Sequence, residues 1–194
     1  MTRFAGPAGR PDDPIQDFLA NLVDRISGLK GDDRRAAEDL EFYSHYVFGW
    51  NNPEFVGNSQ FLKDVYETLQ YSDEEDILIL GPRGSGKSSA VSVVYTTWVI
   101  GNNPLIRILL AVSSVESQGL AFGRQIGHIL EHNDRYRAIF GDLVPPPHLS
   151  RRWSETEKIV MRPEPPGGLK DPTLAIVGVG SNVASNRIGH FDYR

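Results

Sequence analysis

No cysteine occurs in the 194 residues, which excludes disulfide cross-links and thiolate metal sites and is compatible with a reducing compartment. Residues 1–14 lack the apolar segment of a signal peptide. The apolar stretch over residues 91–112 is broken by Gly101-Asn102-Asn103-Pro104 and by Arg107, so no transmembrane helix and no membrane partner are expected. Positive charge is not in excess: 20 Lys and Arg stand against 25 Asp and Glu, a formal net charge of −5. That balance argues against a strongly basic nucleic-acid coat but leaves room for weak, repeated contact with DNA. Arg135, Arg137, Arg151 and Arg152 form a local cluster that reads first as a solvated face and second as a phosphate-facing one.

What is present is ordinary for a globular chain, with 40% hydrophobic and 23% charged residues and enough length for one domain with a sizeable core. Residues 1–13 read as a disordered leader. A helix opened by Pro14 and capped by Asp12 or Asp13 carries Ile15, Phe18, Leu19, Leu22, Val23 and Ile26 at helical spacing. After a turn at Gly31-Asp32-Asp33, a second helix is expected over 34–48, with Ala36, Leu40, Tyr43 and Val47 on one face. A third, over 59–70, turns Leu62, Val65, Tyr66 and Leu69 inward. Residues 14–72 are thus a helical preface, and 73–194 a core in which strands at 76–80, 106–112, 157–162 and 173–179 alternate with helices at 89–100, 115–131 and 135–140. That alternation predicts an α/β fold with a mainly parallel sheet flanked by helices.

The core opens on Gly81-Pro82-Arg83-Gly84-Ser85-Gly86-Lys87-Ser88, the G-x-x-x-x-G-K-[ST] pattern of a phosphate-binding loop. The apolar run Asp76-Ile77-Leu78-Ile79-Leu80 precedes it, and a stretch free of proline and able to form a helix follows. Glycines let backbone N–H groups wrap an anion without Cβ clashes, and the helix N-terminus adds positive potential. The pattern assigns nucleotide binding to Gly81, Pro82, Arg83, Gly84, Ser85, Gly86, Lys87, Ser88 and Ser89. Lys87 is expected to reach the β- and γ-phosphates of ATP and the Ser88 hydroxyl to ligate Mg²⁺. A P-loop hydrolase also needs an apolar strand ending in an acidic residue to hold Mg²⁺ through water and polarise the attacking water. None of the strands expected here ends that way. The strand at 106–112 leads into Ser113-Ser114 and that at 173–179 into Gly180-Ser181, so the fold is expected to be a P-loop NTPase with an incomplete sheet, its acidic strand falling beyond Arg194.

Several stretches resemble the N-terminal ATPase half of phage terminase large subunits. These are residues 42–49, the phosphate loop with Leu80, Arg135-Tyr136-Arg137 with Phe140-Gly141-Asp142-Leu143, Trp153-Ser154-Glu155, Asp171-Pro172-Thr173-Leu174, residues 177–181, and Arg187-Ile188-Gly189-His190-Phe191-Asp192. The likeness covers about residues 35–194, and only the phosphate loop is a sharp motif. It implies ATP-driven packaging of double-stranded viral DNA into a procapsid in the host cytoplasm, by a homo-oligomeric ring working with a terminase small subunit and a portal protein. It further implies that Arg83 senses the γ-phosphate, that Arg187 is a finger acting on a neighbouring subunit, and that Gln60 contacts adenine. The family's nuclease portion is not represented.

Other readings stand beside these. Arg83 also reads as a solvent-facing loop residue, Arg187 as a surface partner of Asp192, and Gln60 as a helix-surface residue. Ser113, Ser114 and Gln118 either couple nucleotide state to movement or cap the next helix. His128 and His132, four apart, either share a metal or are an ordinary pair; Trp50, Trp98 and Trp153 read as packing residues. For the whole chain, the alternatives are a P-loop nucleotide-binding module without hydrolysis and a non-motor P-loop enzyme such as a small-molecule kinase.

Overall fold

A computed structural model of the chain describes residues 14–49, 57–146, 148, 152–163 and 171–179. The leader, Trp50, Arg151, Arg187 and Asp192 lie outside the described residues. The fold is mixed α/β. Helix α1 spans Pro14–Gly28 and α2 spans Gly31–Glu38; α3 runs from Leu40–Tyr43 into a wide turn at Ser44–Phe48. The single helix expected over 34–48 is therefore two. Asp39 has extended backbone (φ −129, ψ 109), and its carboxylate accepts the Phe42 N–H at 2.9 Å. Aspartate competes for backbone N–H groups in this way, which favours a cap over a helix interior. The face that the spacing predicted survives the break: Ala36, Leu40, Tyr43 and Val47 are all fully buried. In α1 the expected stripe holds in part. Leu22 is buried and Ile26 packs on the core, while Val23 is exposed.

Helix α4, Gln60–Tyr71, is capped by the Ser59 hydroxyl and buries Val65 and Tyr66. Helix α5 runs unbroken through Lys87–Ser89, a wide turn at Ala90–Tyr95, and Thr96–Asn102. Strand β1, Ile108–Val112, leads to α6, which begins with a wide turn at Val115–Gly119 and continues as Leu120–His132; α7 is Asp134–Phe140. Strands β2, Glu157–Lys158, and β3, Leu174–Gly178, complete a three-stranded sheet in the order β1-β3-β2. The β1–β3 pair is parallel, from Ile108 opposite Leu174 to Val112 opposite Gly178, whereas β2 pairs with β3 antiparallel. The sheet is therefore mixed rather than mainly parallel. The strand expected over 157–162 stops after two residues because the next donors go elsewhere. Val160 N–H bonds the Thr173 hydroxyl at 3.1 Å and Met161 N–H bonds the Leu143 carbonyl at 2.8 Å.

A second correction concerns residues 76–80, expected as a buried strand. They form no strand among the described residues, and Leu78 and Leu80 are 82% and 77% exposed. An apolar run becomes a buried parallel strand only when neighbours pair with it on the sheet. The three strands described here do not include one beside it.

The core sits between α2, α3, α5 and α7 and is tied by Thr97, fully buried in α5. Its hydroxyl donates to the Val93 and Val94 carbonyls (2.8 and 3.0 Å) and accepts from the Tyr43 hydroxyl at 2.8 Å. Its carbonyl accepts the Tyr136 hydroxyl at 3.1 Å. Tyr43, Tyr136 and Phe140 meet edge-on or tilted, with centroids 5.0–6.5 Å apart. The Trp98 indole N–H donates to the Ala36 carbonyl at 3.1 Å and Asn102 donates to that of Ala37 at 3.2 Å, fastening α5 to α2.

Thr97→Val keeps the shape of the side chain but leaves the Tyr43 hydroxyl without its acceptor, so it should lower unfolding free energy by about 1–3 kcal/mol. Urea titration measures this, and an unchanged midpoint would remove Thr97 from its central place. Burial also pushes Tyr66 up to about 12 and raises Tyr43 and Tyr136 above the ordinary phenol range. These shifts favour the neutral phenols in the fold. Their contribution is intact below the unfolded value of about 10 and is withdrawn as pH rises through the folded values. The urea midpoint should therefore fall above that pH, and a midpoint that holds steady there contradicts the burial of these phenols.

Candidate functional site

The glycine loop joins the extended run at 76–80 to the N-terminus of α5. A turn closes it at Pro82, whose carbonyl accepts the Ser85 N–H at 3.4 Å. Gly84 and Gly86 both have left-handed backbone, φ +79 and +80, where a side chain meets the following carbonyl. Loops with such backbone can turn N–H groups toward an anion, while the Ser85 N–H is itself given to the Pro82 carbonyl. The Ser85 hydroxyl is enclosed there and has no hydrogen-bond partner among the described residues. Helix α5 starts at Lys87, and its first N–H groups open on the same loop.

Lys87 is half-buried, and its ammonium folds back to donate to the Pro82 carbonyl at 2.9 Å. The loop thus has a cation held over it by a single neutral acceptor, which a polyanion outcompetes. Arg83 and Ser88 are exposed and Ser89 is half-buried. Behind the loop lies the first turn of α4: a Cβ built on Gly81 would come within 2.5 Å of the Phe61 ring, and one on Gly86 within 3.3 Å of Leu62.

The residue types of the loop suit a phosphate chain: two left-handed glycines precede a helix N-terminus and a lysine on a weak tether. Lys87 and the N–H groups at the start of α5 would hold the phosphates. For Mg²⁺ the Ser88 hydroxyl would be the protein ligand that the loop offers.

The remaining expected residues are placed as follows. Gln60 lies one residue before Phe61, but its side-chain amide donates to Asp64 at 2.8 Å on the exposed face of α4, the surface reading. Ser113 donates to Gln118 at 2.9 Å, and the Ser114 hydroxyl accepts the Ser117 N–H at 3.4 Å, so this cluster caps α6. His128 and His132 have ring centroids 5.3 Å apart, and His132 lies 3.4 Å from Glu131. Trp98 packs as expected. Trp153 donates to Glu131 at 2.6 Å under the buried Lys158 ammonium, 5.0 Å from its ring; burial pulls that ammonium below the usual lysine range, with Glu131 and Glu155 opposing. Arg135 lies over the Tyr46 ring at 4.1 Å and donates to the Tyr46 carbonyl, so it braces α7 on α3. Arg137 is exposed and pairs with Asp142 at 3.6 Å. Arg135 and Arg137 are thereby divided between a brace and a solvated face.

Sequence reasoning missed Phe61, and it named Ser85 as a loop residue without the enclosure of its hydroxyl. Phe61 left a signal, an apolar residue beside the inward stripe at the first turn of α4; the enclosure of Ser85 left none. No helix among the described residues is long and apolar enough to cross a membrane. Comparison with protein-family models, curated proteins and solved structures found no match to this chain.

Gly84→Ala carries backbone strain of about 1–2 kcal/mol. Gly86→Ala carries the same strain and also presses on Leu62, so it should be the more destabilising of the two. Thermal melts of both variants measure the order; the reverse order contradicts the packing of α4 under the loop.

Proposed function

We propose that the loop at residues 81–88 binds the phosphates of ATP with Mg²⁺, and that the chain is the ATPase part of a DNA-packaging motor similar to phage terminase large subunits. The observation that supports nucleotide binding is the presence in one short loop of left-handed Gly84 and Gly86, the unpartnered Ser85 hydroxyl and Lys87 at the start of α5. A plain turn between a strand and a helix needs none of these groups. The residues divide the work by chemistry. Backbone N–H groups and the helix end bind charge without a side-chain entropy cost. Lys87 leaves the Pro82 carbonyl, which keeps the Ser85 N–H, and neutralises the outer phosphates. Bound Mg²⁺ supplies charge neutralisation between phosphate oxygens.

The motor reading rests on the resemblance, with Arg83 as γ-phosphate sensor and Arg187 as the finger toward a neighbouring subunit. Double-stranded DNA, a small subunit, a portal, a homo-oligomeric ring and the host cytoplasm follow as its partners and setting. The exposed position of Arg83 at the crown of the loop supports the first of these roles. One observation favours a second reading, a nucleotide-binding module without hydrolysis: among the described residues the run before the loop stands outside the sheet, so no sheet strand leads into the loop there.

Lys87→Ala should abolish ATP·Mg²⁺ binding, read by titration calorimetry, while leaving the unfolding free energy from urea titration within about 0.5 kcal/mol of the parent. The side chain is half-buried and makes one bond to a carbonyl that has a second donor, so little stability depends on it. Equal affinity of variant and parent would defeat the phosphate-loop assignment.

A further inference from the structure

Helix α4 belongs to the preface, yet its first turn is built against the phosphate loop. The Ser59 hydroxyl fixes the start of the helix by accepting the Leu62 N–H at 3.3 Å. From that turn Phe61 and Leu62 project in succession, one onto each end of the loop. The Phe61 ring edge occupies the space a side chain on Gly81 would need, with ring atoms 2.5, 3.1 and 3.2 Å from an ideal Cβ. Leu62 takes the equivalent place at Gly86, 3.3 Å away. Between these points Pro82, Arg83 and Gly84 form an exposed crown.

The rest of α4 is immobilised. Val65 and Tyr66 are buried. Gln70 accepts the Leu40 N–H at 2.8 Å and donates to the Glu38 carbonyl at 2.7 Å, bridging the junction of α2 and α3. Lys63 pairs with Glu41 at 3.5 Å. A wall fixed at three points therefore backs a loop that has no sheet strand in front of it among the described residues. Rigid support of this kind sets whether N–H groups converge on one point.

We propose that Phe61 is a positioning residue for phosphate binding, its ring holding Gly81 so that the loop keeps its anion-binding curvature. The ring works from behind the loop and touches neither base nor phosphate. This inference rests on the nucleotide-binding reading above.

Calorimetric titration of the full chain with ATP·Mg²⁺ and, separately, with magnesium tripolyphosphate tests it, using the parent, Phe61→Ala, Phe61→Leu, Gly81→Ala and the Gly81→Ala/Phe61→Ala pair. Phe61→Ala should weaken both ligands by roughly tenfold, the lower end of what lost supporting contacts cost, and Phe61→Leu should weaken both less. Gly81→Ala should weaken both as well. The pair should bind better than Gly81→Ala alone, because the new methyl then has the space the ring vacates. Thermal melts establish which variants are folded; should Phe61→Ala not fold, Phe61→Leu carries the comparison. Parent-like affinity in a folded Phe61 variant would overturn the inference and leave nucleotide binding standing. A loss confined to ATP would also overturn it, since the ring would then be reading the base. A parent that binds neither ligand would bring down the nucleotide reading itself, and this inference with it.

Discussion

The arrangement of this chain depends on a buried threonine. Thr97 stands in the middle of α5, and three helices are joined through its two oxygens: α5 itself, α3 through Tyr43, and α7 through Tyr136. Hydrogen bonds in such a dry setting are strong when complete and costly when broken, so the node has one good geometry. Aromatic packing around it and the bonds from Trp98 and Asn102 to α2 add directional constraints. The helix that the phosphate loop opens is thus fixed at a point ten residues from Lys87, about 15 Å along its axis.

That distance matters for the site. A loop at the end of a fixed helix inherits the position of its first N–H groups but not the path of the chain that enters it. Entry is controlled from the side, by α4. The same helix buries Val65 and Tyr66 and lays Phe61 and Leu62 along the loop, so core packing and the shape of the glycine loop are linked through one element. In the proposed reading, the helical preface is part of the site rather than a separate attachment.

Local chemistry explains where the helices depart from regularity. Asp39 and Ser114 each offer an oxygen to a backbone N–H and start a new helix. Wide turns follow at Ser44–Phe48 and Val115–Gly119, where the N–H of Gly49 or Gly119 reaches the carbonyl five residues back. A third opens α5 directly behind the loop, at Ala90–Tyr95. Such turns insert one extra residue and rotate the following face, so periodicity read along one straight helix drifts at these points.

By itself the sequence determined most of the helices, the inward residues of α2, α3 and α4, and the chemistry of the loop. The reason is that these follow from spacing and residue type within a few positions: a 3.6-residue repeat, a capping hydroxyl, glycines before Lys87 and Ser88. Two strands, β1 and β3, were legible as apolar runs, but their partnership was not, because register and neighbour belong to residues far apart in the chain. The same limit explains the two corrections. The run at 76–80 has the composition of a buried strand and lacks the neighbour that would make it one, and the strand at 157–162 ends where Thr173 and Leu143 capture its donors. Only the tertiary structure placed Phe61 against Gly81 and enclosed the Ser85 hydroxyl. Each of these depends on which surfaces meet when α4 packs beside the loop, and no local pattern encodes that.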